Sequence, residues 1–331
     1  MESKFGAEFE QIKRIIKENN DFLIIAHDFP DGDSLGSQVA LYGLLKSAGK
    51  NACMVCNSDL PYQYEFLPFI KLIIKEMPGP EDFCASNGCI CFCLDSADEG
   101  RFGIPVEKIR QKSKTIINMD HHLGNTMYGD INIVDPLKSA TAEILYDMIV
   151  KNFGNLLDHD VSIGIYTAIL TDTGRFQYSN TTSNVHRIIS HLLEFGINPA
   201  KIFSFIYENE PFNRFKLIEK VLKRVKLEKS KKLIYSYVLK DDFTKLGLPF
   251  SANDGIIEIL RGASEAKISA LLKQVCKNRY KISLRSSDPD YNVVEIASIF
   301  GGGGHKMASA YSFNGTLKEA VFKLEEAVGP R

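Results

Sequence analysis

At 331 residues, with 44% hydrophobic and 24% charged side chains, the chain has room for two domains with separate apolar cores, and its composition excludes a disordered or repetitive protein. The formal net charge of −1 gives no global attraction for a long polyanion, so nucleic acid would have to meet a local basic patch, and a small anionic ligand suits the balance better. A charged, amphipathic start and the lack of any apolar run of membrane-spanning length make a cytoplasmic protein without membrane contact the expectation.

Taken in chain order, FLIIAH (22–27) predicts a strand, SLGSQVALYGLLKSAG a helix, and ACMVC, CICFCLD (89–95) and TIINMD (115–120) further strands. Runs that are apolar on both faces suit a parallel sheet covered by helices, and ligands of such sheets gather at the edge where the strand ends converge. Five of the seven cysteines, Cys53, Cys56, Cys89, Cys91 and Cys93, lie in these runs, which predicts buried, reduced thiols. Cys53 and Cys56 form a C-x-x-C pair, but no second pair lies at a zinc-site spacing from it. SATAEILYDMIVKNF and DHDVSIGIYTAIL predict two helices that complete the first domain, with Asp158 or Asp160 opening the second helix. The stretch from Thr182 to about Lys226 reads as helical, punctuated by Pro199 and Pro211. After Val225, VKLEKSKKLIYSYVL and KISALLKQVCKNRYKISLRSS predict hairpins. The expected fold is α/β: an N-terminal parallel-sheet domain over 1–185, a helical connector over 186–225, and a smaller mixed α/β domain over 226–331, with a cleft between the domains.

Several apolar runs end in residues suited to hard divalent metals. His27, Asp28, Asp31 and Asp33 follow the first run, Asp95 ends the third, Asp120 ends the fourth and is followed by His121 and His122, and Asp172 comes just after a predicted helix. Taken alone, Asp33 would read as a helix cap, and His159, His186 and His191 as surface or core residues. Parallel strands, however, would bring the set together. Clustered carboxylates repel and take up protons unless cations neutralise them. Carboxylate with imidazole suits Mn²⁺, Mg²⁺, Fe²⁺ or Co²⁺. Two such ions about 3.5–4 Å apart share a bridging water and stabilise charge on a phosphoryl group.

His27-x-x-x-Asp31-x-Asp33, Asp95, Asp120-His121-His122 and Asp172 resemble, in order and context, the four motifs of the DHH phosphoesterase family. GGGGH (301–305) resembles the signature of that family's DHHA1 domain. The likeness covers nearly the whole chain, and a short stand-alone architecture of this kind is similar to the oligoribonucleases and 3′-phosphoadenosine 5′-phosphate phosphatases. The resemblance implies two divalent ions, Mn²⁺ first, with Mg²⁺, Co²⁺ or Fe²⁺ as alternatives. It puts His27 and Asp31 on one ion, Asp33, His121 and Asp172 on the other, and Asp95 between both. His122 would face the substrate phosphate, Asp120 would orient a ligand from behind, and Arg101 matches a family position that meets substrate.

In the second domain, consecutive glycines can let backbone N–H groups approach a phosphate and form an anion-binding nest. Gly302, Gly303 and Gly304 with His305 lie between a helix-like EIASIF and a strand-like ASAYSF, so they read as a ligand loop. Arg285, Ser286 and Ser287 are candidates for a terminal phosphate, and Ser309 is a further one. Tyr178 or Phe176 would serve as a base-stacking platform unless core packing claims them. The implied reaction is hydrolysis of short single-stranded RNA to mononucleotides, or of 3′-phosphoadenosine 5′-phosphate to AMP and phosphate. A phosphodiesterase for cyclic di-AMP or pApA would use the same architecture. A non-catalytic nucleotide sensor would be expected to have lost a ligand position, and all six are intact. The pattern leaves a homodimer open.

Overall fold

A computed structural model describes residues 4–79, 83 and 88–329, and the chain forms two compact units, Met1–Asn209 and Glu210–Arg331. In the first, strands β1 (Asp21–Ala26), β2 (Asn51–Val55), β3 (Cys89–Leu94), β4 (Ser113–Asp120) and β5 (Ile131–Val134) form a sheet in the order β2-β1-β3-β4-β5. Each pairing is parallel. Helices α1 (Gly6–Glu18), α2 (Gly32–Ser47), α3 (Val106–Lys112), α4 (Thr141–Phe153), α5 (His159–Asp172), α6 (Ser183–Leu193) and α7 (Pro199–Tyr207) accompany it.

The two-sided burial follows from the strand sequences. Alternate residues Phe22, Ile24, Ile90, Phe92 and Ile117 face the core formed with α1, α2, α4 and α5. Leu23, Ile25, Cys91, Cys93 and Ile116 face a smaller core that includes Ile109 of α3 and Phe102. A strand buried on both faces has to be apolar throughout, which is why CICFCL carries no polar residue. Cys56, Cys89, Cys91 and Cys93 are buried thiols, as expected, whereas Cys53, on β2 at the edge of the sheet, is half-buried. No helix among the described residues is long and apolar enough to cross a membrane.

The second unit contains α8 (Phe212–Lys223), β6 (Lys226–Glu228), β7 (Leu233–Val238), α9 (Lys240–Leu246), α10 (Ile256–Arg261), β8 (Ile268–Cys276), β9 (Arg279–Ser286), α11 (Val293–Ile299), β10 (Gly303–His305), β11 (Ala308–Asn314) and α12 (Leu317–Val328). Its mixed sheet runs β10-β11-β9-β8-β7-β6. Both expected hairpins are present, as the antiparallel pairs β6–β7 and β8–β9. Of the helices in 186–225, α6 and α7 fall in the first unit and α8 in the second.

One ion pair anchors α8 and α9 of the second unit. Arg224 grips the buried Asp242 through Nη1 at 2.5 Å and Nη2 at 3.1 Å. Burial alone would raise this carboxyl, but Arg224, the Leu239 N–H and Lys220 outweigh it and hold the group at about 2. A carboxyl held below its ordinary value near 4 stabilises the fold above that pH, and this contribution fades as pH falls from about 4 towards 2. Arg224→Met leaves the buried carboxylate only Lys220 and the Leu239 N–H as partners and is expected to cost about 2 kcal/mol. The difference would be read as a lower melting temperature at pH 7 that narrows near pH 3.

Candidate metal centre

The parallel register builds the centre from residues far apart in the chain. Ala26 is level with Leu94, and Leu94 with Met119, so the residues that follow (His27, Asp95, and Asp120 with His121) leave three adjacent strands at one edge. Asp31 caps α2, accepting from the Ser34 N–H at 3.0 Å, while Asp33 sits in the first helical turn. The cap is therefore Asp31, two residues before the position where Asp33 read alone would place it. Asp172 is the last residue of α5 itself. Helices α2 and α5 lie antiparallel at close range. A Cβ on Gly32 would fall 2.3 Å from Thr171 Oγ1, and one on Gly36 would fall 2.4 Å from the Gly164 carbonyl oxygen. This approach brings the end of α5, and Asp172 with it, to the start of α2.

Two imidazoles face four carboxylates. His27 Nε2 lies 3.9 Å from Asp31 Oδ1 and 3.5 Å from Asp95 Oδ2. His121 Nε2 lies 3.7 Å from Asp33 Oδ2, 3.6 Å from Asp95 Oδ1 and 3.4 Å from Asp172 Oδ2. These separations exceed hydrogen-bond length. They match ligand atoms that share an ion about 2.1 Å from each, which stand about 3–4 Å apart. His27, Asp31 and Asp95 form one such group, and Asp33, His121 and Asp172 another. Asp95 turns one oxygen towards each imidazole.

Neighbouring backbone groups set the orientation of these side chains. His27 Nδ1 donates to the Asp28 carbonyl at 2.8 Å and His121 Nδ1 to the Lys138 carbonyl at 3.3 Å. Carbonyls only accept, so each ring presents Nε2 to the carboxylates. Asp33 accepts from the N–H groups of Thr141 (2.6 Å) and Ala142 (3.1 Å) in the first turn of α4, and from Ser37 Oγ at 3.1 Å. Thr141 Oγ1 also donates to Asp95 at 3.2 Å. Asp95 has φ 57, a left-handed conformation that side chains seldom adopt outside sites that require it.

Asp120 is fully buried and committed elsewhere. It accepts from the His121 N–H at 2.8 Å, His122 Nδ1 at 2.7 Å and Asn125 Nδ2 at 2.7 Å. Asn125 and Thr141 gave no signal in the sequence, because a lone Asn or Thr in a loop or at a helix start reads as solvated or capping.

The charge balance fits cations. Burial, then the nearby charges of Asp33 and Asp31, pushes the Asp95 carboxyl well above its ordinary range. Burial likewise raises Asp33 and drives Asp172 to about 8. Burial would lower His121, but the carboxylates of Asp172, Asp33 and Asp95 outweigh it and hold the ring at about 9. The metal-free centre thus retains protons that a divalent ion must displace. Carboxyls raised in this way support the fold below about pH 4 and cost stability as pH rises towards 8. Mn²⁺ is therefore expected to bind more tightly at pH 8 than at pH 6, with proton release visible by calorimetry in buffers of different ionisation enthalpy, and to raise the melting temperature more at pH 8.

The candidates from the second domain are placed less uniformly. Arg285, on β9, directs Nε to Glu258 at 2.9 Å and Nη1 to the Leu284 carbonyl at 3.1 Å. Ser286 is fully buried and donates to the Asp288 carbonyl at 2.7 Å, which removes it as a phosphate contact. Ser309 is buried and donates to the Val293 carbonyl, and Ser287 Oγ lies 3.4 Å from the Ala266 carbonyl. The expected glycine nest is in part an edge strand, in which Gly303, Gly304 and His305 pair with Ala310, Ser309 and Ala308. Gly302 and Gly304 are needed for packing, since a Cβ there would fall 2.3 Å from the Ala310 carbonyl oxygen and 2.5 Å from that of Ala308. The three residues of β10 remain exposed. In the first unit, Arg101 is exposed in the turn after Asp95 and its carbonyl accepts the Asp28 N–H at 2.6 Å. Phe176 packs between Tyr166 and His186, and the Tyr178 ring covers Gly174. Core packing thus claims Phe176.

Residues 21–171 match the DHH family, N-terminal domain, and residues 230–329 match the DHHA1 domain. A bifunctional oligoribonuclease and PAP phosphatase of Thermus thermophilus is 30% identical over 330 residues, covering 99% of this chain and 95% of that protein. Its namesake from Bacillus subtilis is 24% identical, covering 91% and 92%. A cyclic-di-AMP phosphodiesterase of Bacillus subtilis is 22% identical over 96% of this chain but only 49% of its own length. Among solved structures, an exopolyphosphatase-related protein from Bacteroides fragilis superimposes with a TM-score of 0.89 at 26% identity, covering 97% of this chain and 95% of that one.

Proposed function

The chain belongs to the DHH family of phosphoesterases, and from that membership we propose that it hydrolyses short oligoribonucleotides to mononucleotides and releases phosphate from 3′-phosphoadenosine 5′-phosphate. The observation that carries this reading is the Asp95 carboxylate, which offers one oxygen to the group around His27 and the other to the group around His121.

In this reading His27 and Asp31 would hold one divalent ion, Asp33, His121 and Asp172 would hold a second, and Asp95 would serve both. The ions, Mn²⁺ first, with Mg²⁺, Co²⁺ or Fe²⁺ as alternatives, supply Lewis acidity and a water of lowered pKa. The Asp33 carboxylate is held still by the α4 N–H groups, so ligand geometry costs little reorganisation. His122, with Nδ1 fixed on Asp120, presents its Nε2 side to the substrate phosphate, where it stabilises charge or protonates the leaving oxygen. Arg101 meets a neighbouring phosphate. In the second unit, Arg285 and the exposed Gly303, Gly304 and His305 are the candidates for nucleotide contact. A reducing, cytoplasmic setting is proposed with it, supported by the buried free thiols of β3.

Asp120→Ala is expected to lower kcat roughly 10–100-fold by releasing His122, while calorimetric Mn²⁺ affinity changes far less than in a ligand variant. The test of the function is product release from metal-stripped protein, with and without Mn²⁺, on two-to-five nucleotide RNAs, 3′-phosphoadenosine 5′-phosphate, cyclic di-AMP, pApA and pyrophosphate. Mn²⁺-dependent cleavage of short RNA or of the adenosine bisphosphate supports the reading. Preference for cyclic di-AMP replaces the substrate, and turnover of none replaces the enzyme with a nucleotide-binding protein.

A further inference from the structure

Phe29 is the least economical residue of the first unit if only the fold is considered. Its side chain is 83% exposed and its backbone has φ 56, a left-handed conformation that is a genuine outlier for a bulky residue. An exposed ring gains nothing from burial, and glycine or asparagine would fill the turn with less strain. The turn is nonetheless tightly built. The Phe29 N–H is held by Ser58 Oγ at 2.9 Å and Asp28 Oδ1 at 3.2 Å, and Ser58 in turn bonds the Asp28 carboxylate. The Asp28 N–H is held by the Arg101 carbonyl at 2.6 Å, and the Asp28 carbonyl accepts from His27 Nδ1 at 2.8 Å. Asn57 ties the same corner to the Gly103 carbonyl at 2.9 Å.

The residues on either side of this turn are His27 and Asp31, both in the group around Asp95. The turn therefore lies at the rim of the centre on a fixed backbone, beside the turn that carries Arg101, and leaves the Phe29 ring in solvent there. Phe176 is used in packing. Among the exposed large apolar side chains described in the first unit, Phe29 is the aromatic one, the others being aliphatic. A flat, solvated ring on a fixed backbone next to a phosphate-cutting centre has the properties of a stacking platform, because every nucleobase offers a π-face whatever its sequence.

We propose that Phe29 is the base-stacking platform of the site: a nucleobase of the substrate lies on its ring while the adjoining phosphate lies at the ions that Asp95 would help to hold. The inference rests on the nucleotide-hydrolase reading above and adds the feature that separates nucleotides from inorganic or abasic phosphates. Selection through stacking acts on binding, so it appears in KM more than in kcat.

Two experiments on the full chain with Mn²⁺ test it. Phe29→Asn removes the ring with a residue that tolerates the left-handed conformation. Steady-state kinetics compare pApA with the same backbone lacking both bases. The expected result is a KM for pApA raised roughly 10-fold, with kcat within about twofold of the parent and the abasic substrate unaffected. An unchanged KM for pApA, or an equal loss on both substrates, would overturn the proposal. The chain contains no tryptophan, so Phe29→Trp supplies a single fluorophore at the rim. Its emission is expected to be quenched by AMP and not by ribose 5-phosphate; equal response to the two, or none to saturating AMP, would count against stacking. Quenching by AMP in a protein that hydrolyses no nucleotide would retain the platform and reject the hydrolase reading, so the two failures are separable.

Discussion

Replacing Asp95 with asparagine is expected to lower Mn²⁺-dependent turnover on the order of 10³-fold, since the lost charge stabilisation is worth several kcal/mol at about 1.4 kcal/mol per factor of ten. Asparagine is the informative choice because it accepts the left-handed backbone at φ 57, whereas alanine would mix strain with loss of a ligand. The metal-free variant should be more stable than the parent at pH 8. Burial and neighbouring carboxylates raise the Asp95 pKa, so the parent charge opposes folding above the ordinary carboxylate range, and the amide removes that cost. Loss of activity together with a higher metal-free melting temperature and a smaller Mn²⁺-induced rise is the combination that a ligand shared by two ions predicts. Parental turnover in a well-folded preparation would remove Asp95 from the centre.

Gly36→Ala is expected to destabilise the first unit by about 2–3 kcal/mol, or roughly 4–12 °C in melting temperature, and to weaken Mn²⁺ binding in parallel. Helix propensity taken alone gives the opposite sign, since alanine in a helix interior gains about 1 kcal/mol over glycine. The new methyl would lie 2.4 Å from the Gly164 carbonyl oxygen and 2.9 Å from the Ala168 Cβ. A backbone carbonyl inside α5 cannot step aside, so the helices must separate, and the end of α5 carries Asp172 away from Asp33. Gly154→Ala provides the control. No atom would lie within 4 Å of its Cβ and its φ is −55, so this change should be neutral or slightly stabilising. Equal, small effects at both positions would show that the crossing tolerates more space than its geometry indicates.

The chemistry was legible in the sequence because it is written locally. In a parallel sheet the apolar runs must be continuous, so their ends are conspicuous, and a carboxylate or imidazole placed there stands out, as His27, Asp95 and Asp120-His121-His122 do. The resemblance of these motifs to one family then implied the grouping of Asp31, Asp33 and Asp172 with them. What could not be read is whatever depends on a partner distant in sequence. Thr141 looks like an ordinary helix start until its N–H and hydroxyl are found on Asp33 and Asp95. Ser286 looks like a phosphate contact until burial removes it, and the glycine run looks like a nest until β11 pairs with it. Phe29 gives no local signal, because strain shows only in the backbone and exposure only in the packed molecule.

By itself the sequence determined which atoms are available for catalysis and that they gather at one sheet edge, since strand periodicity and parallel topology are set by short-range pattern. The tertiary structure decided which of those atoms face one another. That choice depends on how closely α2 and α5 approach at Gly36 and Gly164, on the α4 N–H groups that hold Asp33, and on which polar groups are buried with their bonds already spent. Each is a matter of close packing and desolvation between segments that the chain order keeps far apart.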